Sequence, residues 1–130
     1  MLIPPVKNIQ GICPFHGNCV EGLAAGKSME TIWQQSEDSM KAEHPAWDIE
    51  AKVLGNFCHN LMVSFSPQSI VLGGGVMSKK GLLEKTIEYA EQSLKNYIVF
   101  PYNQGLKQII TAPGLGSRSG VFGALALIID

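Results

Sequence analysis

Ser69-Ile70-Val71-Leu72-Gly73-Gly74-Gly75-Val76-Met77 is the stretch that indicates the fold. The apolar run at residues 69–72 predicts a short buried strand, and three consecutive glycines follow it directly. A helix is expected next, from about Ser78 to Tyr97, with one apolar face formed by Leu83, Ile87, Ala90, Leu94 and Tyr97. A strand, a glycine turn and a helix in this order are typical of an α/β protein.

The segments on both sides of this stretch extend the same pattern. Downstream, Lys107–Thr111 predicts a second short strand, residues 112–119 a glycine-rich turn, and Val121–Ile129 a small-residue helix able to pack closely on a sheet. Upstream, Asp48 is expected to cap a long helix that stops at Pro67. Its apolar residues form a wide stripe that predicts deep packing: Ile49, Val53, Phe57, Leu61 and Phe65, with Leu54, Cys58 and Met62 beside them.

The amino-terminal third is less regular. Residues 1–11 are expected to form a strand end and a loop, and residues 20–35 a helix that is interrupted near Gly26. The segment Gly22–Ser28 is similar to a phosphate loop, but it has three residues between its glycines where that motif needs four, so we do not interpret it as one. Residues 36–47 are expected to form a polar connection. The whole chain predicts a single α/β domain.

The glycine turn at residues 73–75, with Val76 and Met77, is a candidate ligand site. Backbone without Cβ atoms can lie against a flat ligand or a phosphate, and α/β proteins bind ligands beyond the carboxyl ends of their strands. It is not a dinucleotide fingerprint, because Ser78 stands where the third glycine is needed. A tight strand-to-helix turn without a ligand explains the same residues, and both interpretations stay open at this point.

The loop Cys13-Pro14-Phe15-His16-Gly17-Asn18-Cys19 is a candidate metal site. Two thiols and an imidazole recur at steps of three residues, and zinc prefers this set of donors. Cys58 and His59 lie too far along the chain to be obvious fourth ligands. The alternative is a pair of ordinary cysteines beside a surface histidine.

Glu21 follows the last of these presumed ligands by two residues. A carboxylate on a turn that a metal keeps rigid is suited to accept hydrogen bonds from a polyol. A glutamate in the first turn of a helix is, however, ordinarily a favourable partner of the helix dipole. Arg118, the only arginine, lies in the glycine-rich turn before the last helix, where it is suited either to meet a phosphate or to stabilise the turn.

Composition excludes several classes of protein. The 130 residues carry a formal net charge of −1, so there is no basic excess for general nucleic-acid binding. Three cysteines do not make a secreted disulfide scaffold, and the sequence shows no signal peptide. The longest apolar run, near Leu125–Ile129, is far shorter than the roughly 20 residues that span a bilayer. A cytoplasmic protein without a membrane partner is therefore expected.

Taken together, these motifs resemble the carboxyl-terminal half of the ROK family of bacterial sugar kinases. The segment Ile12-Cys13-Pro14-Phe15-His16-Gly17-Asn18-Cys19-Val20-Glu21 is similar to the family's cysteine-rich signature loop, and His16 in place of a cysteine looks like the fructokinase branch. Ile70–Met77 resembles the family's adenosine-binding strand and turn, and Leu115–Leu127 its closing helix.

The resemblance implies part of an actin-like, ribonuclease-H-like ATPase domain with a zinc-binding loop at residues 12–21. By position, it makes Cys13, His16 and Cys19 structural zinc ligands and Glu21 a ligand of sugar hydroxyls. It also makes Gly73, Gly74, Gly75, Val76 and Met77 the lining of the ATP site. It implies ATP and Mg²⁺ as further cofactors, a hexose as substrate with fructose first, and a homodimer.

The family's phosphate loop, catalytic aspartate and sugar motif have no counterpart in these residues. Asp38, Asp48 and Asp130 do not stand in a matching context. We therefore expect residues 1–130 to be the carboxyl-terminal fragment of a two-domain kinase that is inactive alone. The catalytic aspartate and a fourth zinc ligand, a histidine, are expected to precede Met1. A ROK-type sugar-responsive transcription regulator, and a glucokinase or mannokinase, are the alternatives.

Overall fold

The computed structural model describes residues 1–6, 9–100 and 105–128. These residues form six α-helices: α1 (Val20–Ala24), α2 (Gly26–Trp33), α3 (Pro45–Phe65), α4 (Leu82–Leu94), α5 (Leu106–Ile109) and α6 (Ser119–Ala126). Short 3₁₀ turns lie at Glu37–Ser39, Val76–Ser78 and Gly116–Arg118. Strands β1 (Ile70–Val71) and β2 (Ile110–Thr111) pair in parallel, with Ile70 opposite Ile110. The α/β order is confirmed, although the sheet is small.

Helix α3 begins earlier than the sequence indicated, and the prediction that Asp48 caps it is wrong. Its first residue is Pro45. Proline suits the first position of a helix because its backbone nitrogen carries no N–H that would need a partner and its φ is already close to the helical value. The side chain of His44 is the cap, because its Nδ1 accepts a hydrogen bond from the Ala46 N–H at 3.2 Å. Asp48 instead accepts a hydrogen bond from the Tyr89 hydroxyl on α4 at 2.9 Å.

Helix α4 is shorter than predicted at both ends. Gly81 precedes it with a φ of +83°, a left-handed conformation that ends the preceding turn and that glycine adopts readily. After Leu94, Lys95 and Asn96 also have positive φ, so the chain leaves the helix before Tyr97. Ile87, Ala90 and Leu94 are buried as expected, but Tyr97 is exposed.

Two further segments differ from the sequence prediction. The predicted strand at Lys107–Thr111 is helical up to Ile109, and only Ile110–Thr111 pair with β1. The predicted interruption near Gly26 is confirmed, but the residue that breaks the helix is Ala25, whose backbone is extended. Gly26 is the first residue of α2 and does not terminate a helix.

The core lies where α3 packs along α4. Gly55 makes this approach possible, because a Cβ there would lie 2.6 Å from the Tyr89 Cβ and 3.0 Å from the Ala90 nitrogen. Cys58 and Met62 of α3 bury their side chains with Ile70 and Ile110 of the two strands, so helix and sheet share one core. The stripe on α3 is confirmed except at its end, where Phe65 is exposed.

A helix forms near the predicted Val121–Ile129, but α6 begins at Ser119 and ends at Ala126. It does not pack on the sheet, since none of its residues is buried. Ser119 is the first residue of this helix, and its hydroxyl donates to the Gly116 carbonyl at 2.6 Å. Ile129, the last residue of the predicted helix, and Asp130 lie outside the described residues. Across the ranges that the structure covers, no helix combines the length and apolar character needed to cross a bilayer.

Candidate nucleotide cleft and metal site

The glycine turn joins β1 to the 3₁₀ turn at Val76–Ser78. Gly74 has a φ of +106°, which an L-residue rarely adopts, so glycine is required there by the backbone itself. Gly73 has an ordinary conformation, and a Cβ on it would lie 3.4 Å from Cγ of Pro113. Gly75 is already helical and accepts a hydrogen bond from the Ser78 N–H at 2.9 Å.

A cleft of about 360 Å³ opens in front of this turn. Residues 71–77 form one wall, so all five positions that the sequence suggested for a nucleotide border the cleft. Ala24, Ala25 and Gly26, where α1 meets α2, form a second wall, and Glu50, Leu54 and Phe57 of α3 form the third. Glycine backbone and small or apolar side chains therefore surround a space open to solvent.

The cleft also holds an acidic side chain that the sequence analysis did not single out. Glu50 is only 2% exposed, and its Oε1 has no hydrogen-bond partner among the described residues. Burial, together with the negative charge of Glu37, raises the pKa of the Glu50 carboxyl to about 8. Glu37 also has a buried oxygen, Oε2, that no described residue bonds to.

The three candidate metal ligands come together. One donor atom from each of Cys13, His16 and Cys19 can be chosen so that all three lie within 4.8 Å of one another. The Cys13 Sγ is 3.7 Å from the His16 Nδ1, and the Cys19 Sγ accepts a hydrogen bond from the Gly22 N–H at 3.3 Å. The loop thus holds two sulfurs and one imidazole nitrogen in a cluster.

The backbone holds this loop closed. Gly17 has a φ of +56° and donates its N–H to the Cys13 carbonyl at 2.9 Å, which turns the chain back on itself. Gly22 lies so close beneath it that a Cβ would collide with the Gly17 carbonyl oxygen and lie 2.7 Å from the Cys13 Cβ. The side chain of Asn18 accepts the Gly11 N–H at 2.7 Å and fixes the other edge of the loop.

The donor set fits zinc. Backbone N–H groups of His16 and Phe15 are the main causes that lower the pKa of the Cys13 thiol to about 7, so a substantial fraction is thiolate at neutral pH. Thiolate and imidazole are the donors that zinc prefers. Cys58 takes no part, because it is fully buried in the core and burial raises its pKa to about 12.

Glu21 lies in the first turn of α1, directly after the loop, and is exposed. Its carbonyl oxygen accepts the buried Ser28 hydroxyl at 2.6 Å, which ties the start of α1 to α2. Ala24 is one helical turn further along and lines the cleft. One short helix therefore connects the metal-ligand cluster, Glu21 and the cleft. Arg118 packs on Phe122, with its guanidinium carbon 5.6 Å from the ring centre.

Comparison with known proteins gives the family. The pattern of the ROK family matches residues 1–130. The chain is 34% identical over 128 residues to a fructokinase of Zymomonas mobilis, covering 97% of this chain and 42% of the relative. It is 31% identical over 119 residues to a putative fructokinase of Bacillus subtilis, covering 91% and 40%. The chain spans about 40% of the length of these relatives.

The fold agrees with this result. The crystal structure of a ROK hexokinase from Thermus thermophilus superposes with a TM-score of 0.64 at 20% identity, over 99% of this chain and 48% of the hexokinase chain. The cleft and the cysteine loop are thus parts of a chain that shares the α/β fold of that hexokinase. The chain belongs to the ROK family.

Proposed function

We propose that this chain is the nucleotide-binding, carboxyl-terminal part of an ATP-dependent hexose kinase, with fructose as the hexose. The observation that carries the proposal is the cleft bordered by Gly73–Met77 and by the α1–α2 junction. A flat base fits between apolar side chains and glycine backbone, since no Cβ atoms keep it away. Fructose is favoured because the relatives described above are fructokinases by name.

The residues take the following proposed roles. Gly73, Gly74, Gly75, Val76 and Met77 receive the adenosine, and Glu21 accepts hydrogen bonds from sugar hydroxyls. Mg²⁺, bound with the phosphates in the complete enzyme, supplies charge neutralisation there. The group that takes the proton from the sugar hydroxyl is assigned to the amino-terminal part of the kinase, because neither Asp38 nor Asp48 borders the cleft. A homodimer in the cytoplasm, where ATP is available, is part of the proposal.

Cys13, His16 and Cys19 would hold zinc as a structural ion. It would cross-link the two ends of the loop and so fix the start of α1, which carries Glu21 and leads to Ala24 at the cleft. The His16 ring is exposed while Cys19 is buried, so the ion would connect the exposed side of the loop, at His16, to its buried side, at Cys19. No chemical step is assigned to it.

A coupled assay with ATP, Mg²⁺ and fructose tests the proposal. The 130-residue chain is expected to give only background turnover, because no described aspartate lies in the cleft. The complete gene product is expected to phosphorylate fructose at an ordinary kinase rate, about 1 s⁻¹ or more. Turnover at that rate by the homogeneous 130-residue chain would contradict the fragment proposal, and no turnover by the complete product with any hexose would contradict the kinase.

A further inference from the structure

Glu50 is placed where a core residue would be expected. It lies on α3 one turn before Leu54 and two turns before Phe57, so the three share one helical face and together form one wall of the cleft. Only 2% of Glu50 is exposed. A carboxyl group on an otherwise apolar wall is unfavourable unless something bonds to it.

The protein itself does not supply that bond among the described residues. The Glu50 Oε1 has no hydrogen-bond partner, and the two ion pairs seen in that part of the chain, Lys27 with Glu30 and Lys85 with Asp48, do not include it. The charged group that influences it is Glu37, whose like charge adds no stabilisation. Glu50 therefore lines the cleft with a carboxyl group whose buried Oε1 has no partner among the described residues.

Glu37 borders a smaller neighbouring cleft rather than this one, but its carboxyl oxygens lie close to two glycines of this cleft. Its Oε2 lies 3.4 Å from where a Cβ on Gly26 would be, and its Oε1 lies 3.1 Å from a Cβ placed on Gly75. Glu37 thus lies between the second wall and the glycine turn. A divalent cation is a poor match for Glu50, since it needs about six oxygen ligands and Leu54 and Phe57 are apolar. A flat group that carries a hydrogen-bond donor is a better match.

We infer that Glu50 selects the base of the nucleotide by accepting a hydrogen bond from the exocyclic amino group of adenine. This inference rests on the proposed nucleotide site and adds the residue that determines its specificity. On the base edge formed by N7 and position 6, adenine presents an amino donor next to the N7 acceptor, whereas guanine and hypoxanthine present two acceptors there, N7 and a carbonyl oxygen.

The protonation state of the carboxyl supports this inference. Because burial favours the neutral form of Glu50 at neutral pH, its carboxyl offers one acceptor and one O–H donor side by side. That pair complements the donor and acceptor of adenine. On the same edge hypoxanthine presents two acceptors, N7 and the 6-carbonyl, so one of the two hydrogen bonds is left unmade.

The test compares ATP with ITP, which differs from ATP in having the 6-carbonyl. Dissociation constants are measured by calorimetry for the 130-residue chain and for three variants: Glu50→Gln, Glu50→Met and, as control, Glu91→Gln at an exposed position of α4. The unmodified chain and the control are expected to prefer ATP by about tenfold. Glutamine, which keeps a donor and an acceptor, retains the preference, while methionine reduces it to about twofold or less by weakening ATP binding.

The outcomes separate the two proposals. Equal binding of ATP and ITP by the unmodified chain, or an unchanged preference in a folded Glu50→Met variant, would overturn the role of Glu50 and leave the nucleotide site standing. Failure of the unmodified chain to bind either nucleotide would overturn the proposed function and this inference with it. If the methionine variant does not fold, the ATP-to-ITP ratio of the unmodified chain and of Glu50→Gln decides.

Discussion

The thiol of Cys19 caps helix α1 by accepting a hydrogen bond from the Gly22 N–H at 3.3 Å. A single sulfur therefore belongs both to the candidate metal cluster and to the first turn of the helix that carries Glu21. The loop and the first turn of α1 are thus coupled through Cys19, so we expect a substitution in one to disturb the structure of the other.

Removing a thiol is expected to remove the metal. Protein purified without added zinc should contain about one zinc per chain, and Cys13→Ser or Cys19→Ser should contain far less, because a hydroxyl is a poor zinc ligand. Plasma mass spectrometry of the folded proteins measures this. Cys58→Ala, which changes the buried cysteine outside the loop, is the control and should keep its zinc. Less than about a tenth of an equivalent in the folded unmodified chain would contradict the metal site.

Gly22→Ala tests the packing beneath the loop. A methyl group there would collide with the Gly17 carbonyl and approach the Cys13 Cβ to 2.7 Å, so the loop must shift. We expect the free energy of unfolding to fall by about 1–3 kcal/mol, with weaker zinc binding. Gly123→Ala, where a Cβ meets nothing within 4 Å, is the matched control and should be neutral or slightly stabilising. Equal thermal denaturation midpoints for the two variants would contradict the close approach.

Two substitutions in the glycine turn separate strain from contact with the nucleotide. Gly74→Ala is expected to destabilise the protein by about 1–2 kcal/mol, because its φ of +106° is unfavourable for an L-residue. Gly73→Ala has an ordinary φ and room for a methyl group 3.4 Å from Pro113. It should leave the stability nearly unchanged but weaken ATP binding. Unchanged ATP affinity in Gly73→Ala would mean that the turn serves the fold alone.

The pKa of Glu50 predicts how stability varies with pH. Its value in the fold, about 8, lies above the ordinary 4.5, so the folded protein holds a proton there that the unfolded chain has released. The contribution of Glu50 to the free energy of unfolding is therefore greatest below about pH 4.5. It decreases as the pH rises through 8, by a few kcal/mol at most. Glu50→Gln, which stays neutral, should have a flatter profile of urea-denaturation midpoint between pH 5 and 8. Parallel profiles would contradict the buried acid.

The fold and part of the site were predictable from local signals. Ile70–Leu72 followed by three glycines identifies the strand and the turn without any tertiary information, and the spacing of Cys13, His16 and Cys19 brings three donors together in any tight loop. The resemblance to the ROK family, carried by those same residues, is confirmed by the match over the whole chain.

Other features depend on contacts between distant segments. Pro45 and His44 start α3 with a cap that histidine rarely provides, so Asp48 was the more obvious choice. Lys107–Ile109 were assigned to the strand together with Ile110 and Thr111, but they are helical, and only Ile110–Thr111 pair with a partner strand. Glu50 was overlooked because a glutamate beside Ile49 on a helix is ordinarily exposed. The sequence did contain one signal for it: Glu50 lies on the same helical face as the apolar residues Leu54 and Phe57.

Binding of ATP to the cleft is the most direct test of the central claim. In ¹⁵N–¹H correlation spectra of the 130-residue chain, addition of ATP should shift the amide signals of Gly73–Met77 and of Ala24–Gly26, the two backbone walls of the cleft. Signals of exposed residues on α6 should stay in place. Saturable shifts confined to these two walls and to the third wall, at Glu50, Leu54 and Phe57, are the predicted result. Shifts elsewhere, or none at millimolar ATP in a folded sample, would contradict the assignment of this cleft to a nucleotide.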